Sequence, residues 1–139
     1  MNIEEIAHIA ADFGTPSFVF DVEAFQDRLH ACKGIVGEGI DLCFAMKANP
    51  FLIRAAVECG AKLEVCSPGE LALCERAGID PARVLYSGVN KEEVDIAEAM
   101  RFGAGELTAE SLLHVKYLDD VARRHHVVLD IIPAFLYNK

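Results

Sequence analysis

Nowhere in this 139-residue chain do apolar residues run unbroken for the roughly 18 positions that a membrane span needs. The opening Met1-Asn2-Ile3-Glu4-Glu5-Ile6 also lacks the basic flank and apolar stretch of a signal peptide. Positive charge is scarce: 13 Lys and Arg stand against 22 Asp and Glu, a net charge of -9. So acidic a chain offers no electrostatic footprint for nucleic acid or an anionic membrane. No CxxC occurs among the five cysteines, Cys32, Cys43, Cys59, Cys66 and Cys74, and their number is odd. Each sits among apolar residues, which favours reduced core thiols over disulfides or a metal site. No linker or low-complexity tract divides residues 1–139. A soluble, cytoplasmic protein is expected, and its 53% apolar content is ample for a core.

What is present is a rhythm. Short apolar runs begin at Asp41 (DLCFAM), Leu63 (LEVC), Val84 (VLYS), Gly105 (GEL) and Val127 (VVLDII), with starts 22, 21, 21 and 22 residues apart. Helical patterns lie between them: Leu52, Ala55, Ala56 and Cys59 share one face, as do Val115, Leu118, Val121 and Ala122. Asn49-Pro50 and Ser67-Pro68 read as helix starts, Ser67-x-x-Glu70 and Asn90-x-x-Glu93 as capping boxes. Gly60, Gly78 and Gly103 stand where helices should end. Before this array, Phe18-Val19-Phe20 reads as a short strand. A helix follows it, with Val22, Phe25, Leu29 and Cys32 on its apolar face.

Strands alternating with helices predict parallel, right-handed βαβ units. The compact spacing suits a (β/α)8 barrel, which needs about 250 residues. The expected fold is therefore α/β, a partial barrel of about five βα units. Its open strand edges and apolar faces predict self-association, as a homodimer or larger.

In such barrels the chemistry sits at the C-terminal strand ends. Lys47 follows the first strand; desolvated there, its amine would have a lowered pKa and could form a Schiff base. On spacing alone a lone lysine after a strand usually reads as a solvated loop charge. Glu64 lies in the second strand, where it faces either a site or solvent, and Ser67 follows it. Ser87-Gly88, Asn90, Lys91 and Thr108 end the next strands, or are ordinary turn and cap residues. His125-His126 sits at the wrong strand end for catalysis, and His8, His30 and His114 read as exposed helix residues. Gly34-x-x-Gly37-x-Gly39 follows a helix rather than a strand, so nicotinamide binding is unsupported.

Several motifs together carry a resemblance. Phe13-Gly14-Thr15-Pro16-Ser17-Phe18-Val19-Phe20-Asp21, Phe44-Ala45-Met46-Lys47-Ala48-Asn49, Glu64-Val65-Cys66-Ser67-Pro68-Gly69-Glu70-Leu71 and Val84-Leu85-Tyr86-Ser87-Gly88-Val89-Asn90-Lys91 occur in order and at matching spacing. They resemble the N-terminal part of the ornithine/diaminopimelate/arginine decarboxylases, pyridoxal-phosphate enzymes with an alanine-racemase-like barrel. The opening segment is nearest the diaminopimelate branch. The resemblance implies pyridoxal 5'-phosphate held by Lys47 as a Schiff base, with Ala45, Glu64 and Glu70 beside it. It also implies a basic amino-acid substrate of the diaminopimelate, ornithine, lysine or arginine class.

Departures accompany the likeness. Glu64 stands where the family has an aspartate. Asp130, in Leu129-Asp130-Ile131-Ile132-Pro133, stands where it carries a cofactor-contacting arginine. The closing Ala134-Phe135-Leu136-Tyr137-Asn138-Lys139 resembles nothing in the family. The family's phosphate loop, ring-stacking histidine, ring-nitrogen partner and C-terminal β-domain would all lie further along. A truncated chain, inactive alone, is therefore expected. A non-catalytic or regulatory homologue and an alanine-racemase-like protein are the alternatives.

Overall fold

The computed structural model describes residues 1–134; the closing segment from Phe135 to Lys139 lies outside the described residues, and most of the tail reading with it. The apolar runs form five parallel strands, β1 (Cys43–Ala45), β2 (Lys62–Val65), β3 (Val84–Tyr86), β4 (Glu106–Ala109) and β5 (Ile131–Pro133). They lie side by side in sequence order in a single sheet. The helices are α1 (Ile3–Phe13), α2 (Val22–Val36), α3 (Ile53–Glu58), α4 (Pro68–Ala77), α5 (Glu93–Phe102) and α6 (Leu112–His125). This is the run of βα units that the spacing predicts.

Alternation along the strands gives the sheet two different faces. Leu63, Val65, Val84, Tyr86, Leu107 and Ala109 are buried on the face the helices cover, packed with Ile96, Ala99, Leu118 and Val121. Burial pushes the Cys74 thiol in this core up to about 11, and its Sγ lies 3.7 Å from Met46 Sδ. Register aligns Ala45, Glu64, Leu85 and Glu106 on the opposite face. There Lys62 spans Asp41 at 2.8 Å and Glu106 at 2.7 Å. Leu107 sits in the middle of the covered face, so Leu107→Ala is expected to cost about 3 kcal/mol in chemical denaturation.

Helix ends follow the expected punctuation with two exceptions. Ser67 caps α4 by accepting from Glu70 N, and Gly78 and Gly103 close α4 and α5 in the left-handed conformation. Glu70, however, accepts from Cys66 N at 2.8 Å rather than from the cap residue itself. Helix α5 is capped by Glu92 with Asp95, not by Asn90, because Val89 and Asn90 form a turn that carries Lys91 inward.

Other expectations need correction. Phe18-Val19-Phe20 is not a strand: no ladder pairs it with another segment among the described residues. Phe20 instead packs edge-on against Phe25, which packs against Phe44 at 5.3 Å. The last strand begins at Ile131, leaving Val127 and Val128 exposed before it. The cysteines are all free, yet only Cys74 is a fully buried thiol, while Cys43 is exposed on β1. On α6 the buried face is His114, Leu118 and Val121, with Val115 exposed.

Candidate active site

The C-terminal ends of the strands enclose a cavity of about 460 Å³. Lys47 reaches it from the single turn of 3-10 helix that follows β1, anchored by the fully buried Met46. Asn49 caps the next turn by accepting from Phe51 N at 3.1 Å. Lys47 is exposed, in keeping with the solvated reading of this strand end and not the desolvated one. Among the described residues its amine has no hydrogen bond or ion pair.

Glu64 projects from β2 into the same cavity, where it accepts from Ser87 Oγ at 2.9 Å. Cys66 Sγ lies 3.2 Å from that hydroxyl. Serine has one hydroxyl proton and Glu64 takes it, so the Cys66 thiol donates to the Ser87 oxygen. A thiol, a hydroxyl and a carboxylate thus form one directed chain along the cavity wall.

A second polar group closes the wall between β3 and β4. Lys91 is 4% exposed and donates to Glu110 Oε2 at 2.5 Å, Gly88 O at 2.8 Å and Thr108 Oγ1 at 3.2 Å. Glu110 also accepts from Gly88 N at 3.2 Å and from the Thr108 hydroxyl. His114 Nδ1 lies 2.9 Å from Glu110 Oε2 and 3.4 Å from the Glu110 backbone N, so the ring backs both the side chain and the main chain of Glu110. Burial opposes ionisation of Glu110, but the hydrogen bonds of Lys91, Thr108 and His114 outweigh it and hold its carboxyl below the ordinary value. His114 is therefore a buried partner and not the exposed helix residue expected. Glu110 carried no reading in the sequence at all.

Gly88 is required where it stands. Its φ is +118°, and a Cβ there would lie 2.9 Å from Cys66 O. Gly88→Ala is expected to destabilise the protein by about 1–3 kcal/mol, read from the thermal midpoint.

The structure thus brings Lys47 and Glu64 together with Cys66, Ser87, Asn90, Thr108 and Glu110. Ala45 sits half-buried on β1, in register with Glu64, but does not line the cavity. Glu70 lies behind the wall, gripping the Cys66 amide. Asp130 is exposed just before β5; its carbonyl accepts from Leu107 N at 3.0 Å and its side chain is no part of the cavity. Among the described residues, no cluster of His, Cys, Asp or Glu could hold a metal ion, and no helix is long and apolar enough to cross a membrane.

Residues 22–136 match the pyridoxal-binding domain of pyridoxal-dependent decarboxylases. The chain belongs to this family. As a decarboxylase-family domain it is 31% identical over 131 residues to diaminopimelate decarboxylase of Mycobacterium tuberculosis, covering 91% of this chain and 29% of that protein. Its identity to the Pseudomonas aeruginosa diaminopimelate decarboxylase is 36% over 122 residues, 84% of this chain and 29% of the relative. The chain spans under a third of the length of these relatives. A solved Aquifex aeolicus protein superposes with a TM-score of 0.78 at 28% identity, over 92% of this chain and 32% of that one. A lysine/ornithine decarboxylase from Vibrio vulnificus, solved with cadaverine, gives a TM-score of 0.82 over 99% of this chain and 37% of its own. At 21% identity that second likeness speaks to the fold alone. The family's domain is a pyridoxal-phosphate barrel, and the five parallel strands here are its N-terminal portion.

Proposed function

We propose that this chain is the cofactor-holding part of a pyridoxal-phosphate amino-acid decarboxylase for basic amino acids, with Lys47 as the residue that holds the cofactor. The observation that carries this reading is an unpaired amine opening onto the same cavity as the Glu64–Ser87–Cys66 chain. The cofactor's aldehyde calls for a free amine. Among the described cavity residues Lys47 is the one cation, since Lys91 lies behind them, bound to Glu110. The donor set therefore fits the aldehyde end of the group.

When bound, pyridoxal phosphate supplies an electron-accepting ring that stabilises the charge left on Cα as CO2 departs. The protein's part is to bind and orient. Lys47 would hold the aldehyde end of the group. Ser87 pins the Glu64 carboxylate in one position, which leaves its other oxygen available to hold a proton in the cavity. Glu70 fixes the Cys66 amide and with it the turn from β2 into α4. The basic-substrate assignment follows the names of the relatives, diaminopimelate decarboxylases and a lysine/ornithine decarboxylase. The Glu64 carboxylate in the cavity suits a cationic side chain better than an acidic one.

Equilibrium dialysis against pyridoxal phosphate tests the reading. One saturable equivalent per chain is expected, reversible until borohydride is added and permanent afterwards. Uptake that rises without saturating, as on scattered surface amines, would count against it.

A further inference from the structure

The Lys91–Glu110–His114 group has no place in the roles given above, yet it is the most deeply buried charged cluster described. Its ion pair joins the loop after β3 to the loop after β4, with side chains only 1% and 15% exposed. Burying two charges is costly, and an apolar pair of the same volume would often serve stability as well or better. Stability alone therefore gives a weak reason for it.

The geometry gives a stronger one. The Gly88 peptide is gripped from both sides: Lys91 Nζ donates to its carbonyl, and its N–H donates to Glu110 Oε1. Thr108 ties into the same carboxylate, and His114 backs it from the first turn of α6. Only a residue without a Cβ fits between this grip and Cys66 O, which a Cβ at Gly88 would meet at 2.9 Å, and the neighbouring Ser87 orients Glu64. We infer that Glu110, held by Lys91 and His114, is a positioning residue that sets the Gly88 peptide and through it the Ser87–Glu64 wall facing Lys47. The inference rests on the assignment of Lys47 as the cofactor-holding residue. The group acts through the loop and touches no reacting atom itself.

The decisive variant is Lys91→Met with Glu110→Leu, which removes both charges together and so avoids leaving one of them buried and unpaired. The full chain is mixed with pyridoxal phosphate, reduced with borohydride, and the rate of label fixation at Lys47 is compared with wild type. Amide hydrogen exchange at Gly88 is followed in parallel. The double variant is expected to fold, to lose protection at Gly88, and to label Lys47 about 10-fold more slowly, the scale on which outer supports of a site act. Unchanged labelling in a folded double variant overturns the inference, because a purely structural ion pair would not move it.

Should that variant fail to fold, His114→Leu keeps the Lys91–Glu110 pair and removes only the backing of the Glu110 carboxylate. Weaker protection at Gly88 with slower labelling of Lys47 is then expected; labelling at the wild-type rate overturns the proposal. If wild type is not labelled at Lys47, the cofactor assignment fails by itself. Gly88 exchange in the variants still decides whether Glu110 holds the loop.

Discussion

Lys47→Ala is expected to reduce borohydride-fixed pyridoxal phosphate to the background set by surface lysines, with no loss of fold. The reason is the contrast among the amines. Lys62 sits between Asp41 and Glu106, whose hydrogen bonds raise its pKa well above the ordinary lysine value, and Lys91 is paired with Glu110. A protonated, ion-paired ammonium is no nucleophile. Lys33 and Lys116 are exposed on helices, away from the cavity. Lys47 alone among the described lysines opens onto the strand ends, and it makes no bond that the variant would break. Its removal should therefore change stability by no more than about 0.5 kcal/mol. Mass spectrometry of the reduced protein reads the first effect and a urea titration the second.

Lys91→Met by itself is expected to act in the opposite way, damaging stability first. It leaves the Glu110 carboxylate half-buried without its main partner. The loss should be about 3 kcal/mol, the lower end for a broken buried pair because Glu110 keeps some contact with water. The effect has a pH signature. The folded protein holds Glu110 below its ordinary value, so its stabilisation is full above the unfolded carboxylate pKa of about 4.3. That contribution disappears as pH falls through the lower folded value. Without Lys91 the carboxyl titrates higher, and acid costs the variant less. The stability gap between the two proteins should therefore be widest near neutrality and shrink below about pH 4. A gap that stays constant with pH would mean that the pair is not what was lost.

Much of this arrangement was legible in the residues. The recurrent spacing of apolar runs located all five strands, because parallel strands covered by helices read as short apolar segments at regular intervals. Lys47 and Glu64 were recognisable as strand-end groups, and the structure brings both to one cavity. What escaped depends on partners distant in sequence. Lys91 is buried because Glu110, on the next strand's loop, turns to meet it, and nothing local to either residue announces that. His114 reads as exposed because no partner stands at ligand spacing from it in the sequence, yet its contact with Glu110 holds it on the buried side of α6. Helix α1 was missed although Asn2 and Glu5 form a capping box at its start. Phe18-Val19-Phe20 has strand composition but pairs with no strand among the described residues; its Phe20 packs edge-on against Phe25 while Phe18 stays exposed.

The proposed assignment leaves one amine, Lys47, to hold the cofactor. Peptide mapping of wild-type protein reduced with borohydride after incubation with one equivalent of pyridoxal phosphate tests it most directly. The label is expected almost wholly on the peptide containing Lys47. An even spread across Lys33, Lys47, Lys62, Lys91, Lys116 and Lys139, or a label concentrated on any of the other five, would contradict it.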